Sequence, residues 1–363
     1  MKKYLLKPGN WYKANLHCHT NISDGFFSPE EIKKMYMEKG YSIVAFTDHE
    51  YLALHNDLSD DSFLALNGYE VSVTESVTDE RPAPKCKTYH MNFYAKDKNN
   101  DTMVGVTESY CKRWFKDKDV SKIKHILPRE TREYTPEFVN SYIKDANDNG
   151  FFVSINHPMW SLQTFADYKE INGLWGIELY NHGCNVAGYL EDSNHIYDKL
   201  LRQRKYLFPL ATDDNHNLSQ TYRAQDSFGG FVMINAEKLD YDTVIKSLLE
   251  GEFYSSTGPV FEEIYIEDNM AHIKCSPVRE IRMLTEGRDG MIARHKDGIN
   301  AATSSKATAL SFKADENKAD TLTEAVFEID PDFCCDFIRF DIRGLDGKFA
   351  DTRAFTLREL GIN

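Results

Sequence analysis

Short, almost wholly apolar runs alternate with amphipathic stretches through the first two thirds of the chain. The runs are YSIVAF (41–46), FFVSI (151–155), LWGIEL (174–179) and YLFPLA (206–211), each the length of a strand buried on both faces. The stretches between them carry helix signals. In SPEEIKKMYMEKG, Ser28 can cap, Pro29 fits the first turn, Glu30 and Glu31 suit its positive end, and Gly40 closes it. TPEFVNSYIKDANDNG repeats the pattern with Thr135, Pro136 and Gly150, and YDTVIKSLLEG predicts a third helix over 241–251. Strand and helix in alternation predict an α/β fold, a barrel or an open sheet, built mainly of parallel strands.

The pattern changes at FYSSTGP, residues 253–259. Beyond it helix signals nearly vanish, and EEIYIED, AHIKCS, EIRMLTE, ALSFKA, AVFEI and FIRFDIR read as short strands. Ile338, Phe340 and Ile342 alternate with Arg339, Asp341 and Arg343, and Asp346-Gly347 supplies a hairpin turn. The expected organisation is therefore a domain over 1–257 and a small β-sandwich-like domain over 258–363, with 286–306 as a long loop. Two polar insertions, about 71–89 and 95–134, are expected over the mouth of the first domain, where loops set substrate choice.

Composition narrows the class. With 363 residues, 41% hydrophobic and 28% charged, the chain can bury a sizeable core. Its net charge of -14 (43 Lys and Arg against 57 Asp and Glu) argues against a groove for long nucleic acid. The basic start, MKKYLLKPGNWYKAN, has too short an apolar run for a signal segment, and no stretch is long enough to span a membrane, so a cytoplasmic location is expected. The seven cysteines show no C-x-x-C spacing and read as reduced, buried thiols, Cys18 among them.

Polar residues cluster just past the apolar runs: Thr47, Asp48 and His49; Asn156 and His157; Thr212, Asp213, Asp214, Asn215 and His216. In a β/α barrel these carboxyl ends form the active-site rim. Upstream, His17 and His19 in NLHCHTN are two apart, so an extended backbone presents both imidazoles on one face while Cys18 faces away. Asp24 and Gly25 follow in SDG. Glu70 falls late in one strand, and His90 falls near the start of another that could run antiparallel to the rest. Nine candidate ligands result: His17, His19, Asp24, His49, Glu70, His90, His157, Asp214 and His216. Imidazole and carboxylate without thiolate suit zinc, manganese or iron, and nine such groups could hold two or three divalent ions with Glu70 bridging two of them. Asp48 is expected to orient His49 or to cap the strand end. Glu178 and His182 in GIELYNH also follow a strand and could reach the pocket or form a rim pair. Arg81, Lys85, Arg129, Arg132 and Arg223 are the cations nearest the expected mouth, with Arg223 the preferred phosphate contact. His55, His125, His195, His272 and His295 have no supporting pattern and read as surface groups.

The order H-x-H, Asp-Gly, T-D-H, a mid-chain Glu, N-H-P and D-x-H resembles the PHP family, named for polymerases and histidinol phosphatases, over roughly residues 12–254. The resemblance implies a distorted seven-stranded β/α barrel and a two- or three-metal phosphoesterase site with those nine residues as ligands. ATDDNH departs from the family's more usual Ser-Asp-Ala-His, which leaves Asp213 or Asp214 as the ligand, and spacing favours Asp214. The tail after GEFYSSTGP resembles an appended domain of some PHP proteins. The implied activity is hydrolysis of a phosphate ester of a small metabolite, nucleotide or short oligonucleotide by metal-activated hydroxide. Two ions would be held by His17, His19, Glu70, His90 and His157, and a third by Asp24, His49 and His216. Asp214 would ligate or orient the nucleophile, with His182 as an outer proton donor. An amidohydrolase, whose superfamily also opens with H-x-H, and a metal-binding module without catalysis are the alternatives.

Overall fold

The computed structural model describes residues 2–114, 120, 123–190, 194–288, 290–296, 299–302, 321–334 and 336–362. The strands are β1 (Lys3–Leu6), β2 (Trp11–Asn15), β3 (Ile43–Phe46), β4 (Leu64–Thr74), β5 (Thr88–Ala95), β6 (Met103–Val104), β7 (His125–Ile126), β8 (Phe151–Ile155), β9 (Gly176–Asn181), β10 (Phe208–Thr212) and β11 (Phe231–Asn235). They continue with β12 (Phe253–Ser256), β13 (Phe261–Glu267), β14 (Met270–Val278), β15 (Glu280–Thr285), β16 (Met291–Lys296), β17 (Ile299–Ala302), β18 (Leu322–Glu328), β19 (Phe337–Arg343) and β20 (Phe349–Thr352). The helices that position the site are α1 (Pro29–Met37), α2 (Glu108–Trp114), α3 (Pro136–Asp148), α4 (Phe165–Tyr168), α5 (His182–Val186), α6 (Asn194–Leu201) and α7 (Tyr241–Glu250).

The helix ends form as their sequences specify. The Ser28 hydroxyl accepts the Glu31 N–H at 3.3 Å and the Glu31 carboxylate accepts the Ser28 N–H at 2.9 Å, a reciprocal cap worth about 1 kcal/mol. Thr135 caps α3 in the same sense, and Gly251 ends α7 with φ 72°, a left-handed conformation that glycine adopts without a side-chain clash.

A single sheet path runs β10-β9-β8-β5-β4-β3-β2-β11-β12 and on through β20, β19, β15, β16 and β17. The pairs β2/β3, β3/β4, β8/β9 and β9/β10 are parallel, while β5 is antiparallel to both β4 and β8. Of the expected distorted barrel the ladders trace a continuous path of strands, and among the described residues no ladder joins β10 to β11. The two strands nevertheless approach closely, because a Cβ on Gly230, just before β11, would collide with the Thr212 backbone.

Several expected boundaries move. The first polar insertion is shorter than 71–89, because β4 runs on to Thr74 and pairs with β5 from Thr88, burying Val71, Val73, Tyr89 and Met91. The stretch 286–306 is not a plain loop: it carries the hairpin of β16 and β17, with Met291 and Ala293 buried against β15. The boundary at 257/258 is crossed twice, since β1 pairs with β13 and β12 pairs with both β11 and β20. The second sheet, β1-β13-β14-β18, and the β19/β15 face enclose one apolar core that includes Leu6, Ile264, Ile273, Ile281, Phe340 and Ile342. The polar side of β19 is not solvated either. Arg339, 1% exposed, bonds Asp198 of α6 at 2.8 Å and Asp351 at 2.7 Å, so the first domain covers that face. The Asp346-Gly347 turn is present, with Gly347 at φ 82° between β19 and β20. ALSFKA (309–314), Cys335 and the His295 side chain lie outside the described residues; the six described cysteines are buried and form no disulfide among themselves. No helix among the described residues is long and apolar enough to cross a membrane.

Candidate metal centre

Glu70 is the hub. It sits in the middle of β4, where the isolated bridge His49↔Glu70 and the β4/β5 register bring both neighbours alongside. One carboxylate oxygen lies 3.1 Å from His90 Nδ1, 3.4 Å from His157 Nε2 and 3.5 Å from His17 Nε2. The other lies 3.0 Å from His49 Nδ1 and 3.5 Å from His19 Nε2. Asp214 faces the same space, its Oδ1 3.1 Å from His17 Nε2 and 3.0 Å from His19 Nε2. Asp24 completes the set on the outer side, 3.4 Å from His216 Nε2, 3.7 Å from His19 Nδ1 and 3.8 Å from His49 Nε2. All nine expected ligands therefore converge.

Seven of them fall into three overlapping groups, His19/Asp24/His49/His216, His17/His19/Glu70 and His49/Glu70/His90, each with ligand atoms within 4.8 Å of one another, and His157 and Asp214 adjoin these through Glu70, His17 and His19. Among the nine, His19 Nδ1, Glu70 Oε2 and Asp214 Oδ1 are buried without a hydrogen-bond partner. Buried polar atoms are normally satisfied, so this cluster of orphans, all of them nitrogen or oxygen, fits divalent ions.

Neighbouring groups hold the ligands. Cys18, 0% exposed, packs in an apolar cluster with Ile32, Tyr36 and Phe46, and its N–H donates to Thr47 Oγ1 at 3.0 Å, tying the segment after β2 to the end of β3. A Cβ on Gly25 would lie 2.6 Å from the His19 carbonyl oxygen, so the Asp24 turn requires glycine there. Asp48 does not stand behind His49. It accepts from the Thr20 N–H at 2.8 Å and the Ser23 hydroxyl at 2.7 Å, and so anchors the turn that carries Asp24. Of the adjacent aspartates, Asp213 points away and accepts the N–H groups of Phe228, Gly229 and Gly230 at 2.8 Å each, which leaves Asp214 facing the histidines.

Glu178 proves more than a rim residue. Wholly buried, it bonds His17 Nδ1 at 2.7 Å and accepts from the His157 N–H at 2.7 Å, Thr212 Oγ1 at 2.7 Å and Asn181 Nδ2 at 2.9 Å. A carboxylate on Nδ1 fixes the tautomer that leaves His17 Nε2 free to ligate. Asn156 donates to Glu70 at 2.8 Å and Asn181 to Asp214 at 3.1 Å. Asn156 was visible only as the residue before His157, and Asn181 only as a strand-end asparagine. We expect Glu178→Gln to weaken metal affinity about 10- to 100-fold with little change in the thermal midpoint, read by equilibrium dialysis against manganese; unchanged affinity would remove Glu178 from the site.

The electrostatics follow from this packing. Burial disfavours charge on His17, yet Asp214, Glu178 and Glu70 carry its pKa well above the ordinary imidazole value. Burial likewise opposes charge on His216, but Asp24 and Asp214 raise it to about 10. His19 is lowered to about 4 by burial and by the neighbouring His216 and His49. Glu70, Asp24 and Asp214 are held below the usual carboxylate range by the imidazoles despite burial. One cluster thus contains acids held ionised and imidazoles pushed in opposite directions, an arrangement that metal ions resolve by replacing protons.

Other expected groups lie elsewhere. His182 faces a separate groove with Arg343 and Lys348: its Nδ1 is 2.9 Å from the Tyr180 hydroxyl and its ring packs on Gly229, while Gly183 and Cys184 of the same helix line the metal cavity. Arg223 lies over the Phe26 ring at 3.5 Å and does not line the cavity. Arg81 pairs with Glu75, Arg129 with Asp145, and Lys85 is exposed. Arg132 is not a solvated cation either, since it is buried against Glu50 at 2.6 and 2.8 Å. His55, expected at the surface, is buried against Phe46 at 4.6 Å. His195 is exposed; His125 and His272 are half-buried, the latter stacked on Tyr265 at 4.5 Å.

Among solved structures, a two-domain protein from Bacteroides vulgatus, containing a predicted PHP-like metal-dependent phosphoesterase, aligns at 15% identity over 97% of this chain and 96% of its own, with a TM-score of 0.43. A proposed metal-dependent phosphoesterase from Bifidobacterium adolescentis aligns at 16% identity over 56% of this chain and 87% of its own, TM-score 0.34. An amidohydrolase from Chromobacterium violaceum, with sulfate bound and no metal, aligns at 16% identity over 66% of this chain and 96% of its own, TM-score 0.34. No curated protein matches significantly. The model of the PHP domain matches residues 15–323, a span that holds all nine converging side chains, and the chain therefore belongs to the PHP family.

Proposed function

We propose that this protein is a metal-dependent phosphoesterase acting on a small phosphorylated substrate. The observation that carries the reading is Glu70, whose two carboxylate oxygens each face a different set of imidazoles, His17, His90 and His157 on one side and His19 and His49 on the other. That arrangement suits a carboxylate shared by two ions, with Asp24, His49 and His216 available to a third. Zinc, manganese or iron fits the donors. When bound, the ions supply an activated water and neutralise phosphoryl charge. The chain's own part is to fix the ligands: Glu178 sets the His17 tautomer, Asn156 and Asn181 orient Glu70 and Asp214, and Asp48 holds the Asp24 turn. We read the curled path from β10 to β11 as a distorted barrel with this centre at its rim.

The cavity above the centre is about 290 Å³, at the small end of ligand sites, which favours a metabolite or mononucleotide over an extended strand. Manganese-supplemented hydrolysis of phenyl phosphate set against bis(phenyl) phosphate tests the reading and divides monoesterase from diesterase. Turnover of neither by protein that binds two or more ions would overturn it. Affinity for manganese is expected to rise from pH 6 to pH 8, because the ions displace protons that His216 holds up to about pH 10 and that His17 holds well above the ordinary imidazole value. Proton release on metal addition, measured in weakly buffered solution, checks this; a pH-independent affinity would contradict it.

A further inference from the structure

Two tryptophans stand in the wall of the metal cavity. Trp114, the last residue of α2, lies parallel to the His49 ring with centroids 4.1 Å apart and planes at 18°. Trp160 stands across the cavity's other histidines, at 5.3 Å from His90 and 4.9 Å from His157, both edge to face, and is 38% exposed. Cys184 and Ala187 line the same space.

Both indoles are fixed by the packing and hydrogen bonds of the segments that carry them. The Cys111 thiol of α2 donates to the Glu50 carbonyl at 3.1 Å, and Tyr110 lies under the Arg132 guanidinium at 3.7 Å, so the helix that carries Trp114 is bolted to the buried Glu50–Arg132 pair. Trp160 sits in a turn closed by the Ser161 N–H on the His157 carbonyl at 3.1 Å, with Ser161 Oγ 3.1 Å from His157 Nδ1. Indoles held this firmly in a cavity wall, Trp160 exposed and Trp114 half-buried, form stacking platforms with little conformational entropy left to lose. Apart from the proposed metal ligands, the described residues lining the cavity include no Lys or Arg, while the carboxylate Asp226 is present. A second phosphate or a following nucleotide would meet carboxylate instead of cation there. The wall is suited to one phosphoryl group at the metal ligands and an uncharged flat group beside it.

We infer that Trp114 and Trp160 are specificity-determining residues that hold a planar aromatic group carried by a phosphomonoester. The phosphoryl end of this inference rests on the phosphoesterase reading; the ring end rests on the two indoles.

The test is equilibrium binding of AMP, phenyl phosphate, ribose 5-phosphate and propyl phosphate to the full chain with manganese, followed by calorimetry and tryptophan fluorescence. AMP and phenyl phosphate are expected to bind more tightly than their saturated counterparts. Trp114→Ala and Trp160→Ala should each weaken the aromatic ligands about 5- to 150-fold and the saturated ones less than about threefold, with the Phe variants retaining most of the preference. AMP ahead of phenyl phosphate assigns a nucleobase, and the reverse assigns an aryl group. Equal weakening of both classes, or no aromatic preference in the unaltered protein, overturns the inference. Hydrolysis followed in parallel separates the two readings: preference without turnover of any of the four defeats only the phosphoesterase reading, and turnover without preference defeats only this one.

Discussion

Glu70→Ala is expected to lose hydrolysis of phenyl phosphate by on the order of 10³-fold or more, together with most bound manganese, while keeping its far-ultraviolet circular dichroism. The size of the effect follows from position. No other side chain in the centre faces five imidazoles, and its oxygens approach them at 3.0 to 3.5 Å. Without it, mutually close histidines lose the anion that lets them share a site; His17 and His19 already have their Nε2 atoms 3.1 Å apart. His17→Ala should act in the same direction, with the buried Glu178 oxygen that bonds His17 left to Thr212 Oγ1 alone. Metal content by elemental analysis is the direct readout. Two or more ions retained per Glu70→Ala chain would show that the carboxylate is not shared and would remove the main support for the proposed chemistry.

Arg132→Ala should cost about 3 to 5 kcal/mol of stability, the largest effect expected away from the metal ligands. The guanidinium and the Glu50 carboxylate are 2% and 1% exposed and joined by two bonds, and Arg132 also donates to the Ser72 carbonyl at 2.7 Å. Removing the cation strands a buried carboxylate on a residue held at φ 54°, next to His49 in sequence. Arg129→Ala provides the contrast, because its partner Asp145 is 30% exposed and such a pair is worth about 1 kcal/mol or less. Urea unfolding of both variants decides the matter, and equal losses would mean that burial contributes nothing to the Glu50 pair. The double variant Glu50→Gln/Arg132→Met should recover part of the stability, since no charge is then left unpaired. Metal affinity should fall in Arg132→Ala as well, because the segment carrying His49 and Trp114 loses its anchor.

The contrast between the two arginines shows where reading the sequence stops. Arg129 and Arg132 sit three apart in one charged segment, and nothing local distinguishes the one that is buried. The ligands were different. His17 and His19 announce themselves by two-residue spacing, and His49, His157 and His216 by following apolar runs, because a strand's period and its carboxyl end are local properties. Glu178 carried the same strand-end signal as His182, which left pocket and rim open: its role depends on β9 lying beside β8 and β10, which brings it under His17 from 161 positions away. His182, four residues later, looked equally eligible, but Asn181 caps the short helix that follows, its side chain accepting the Cys184 N–H, and the chain turns His182 to a separate groove.

The sequence by itself determined the alternation of strands and helices, the capped ends of α1, α3 and α7, the nine metal-ligating candidates and the PHP resemblance. All of these are written in spacing and in residue type. Only the tertiary structure decided that Glu178 bonds His17, that Asp48 serves the Asp24 turn, that β1 belongs with the C-terminal sheets, and that the polar face of β19 is covered. It also decided that two tryptophans, 46 positions apart, share one wall with the metal ligands. The physical reason is common to all of these. Burial and partnership at long sequence separation are settled by which strands lie side by side, and a residue's own neighbours in the chain carry no record of that.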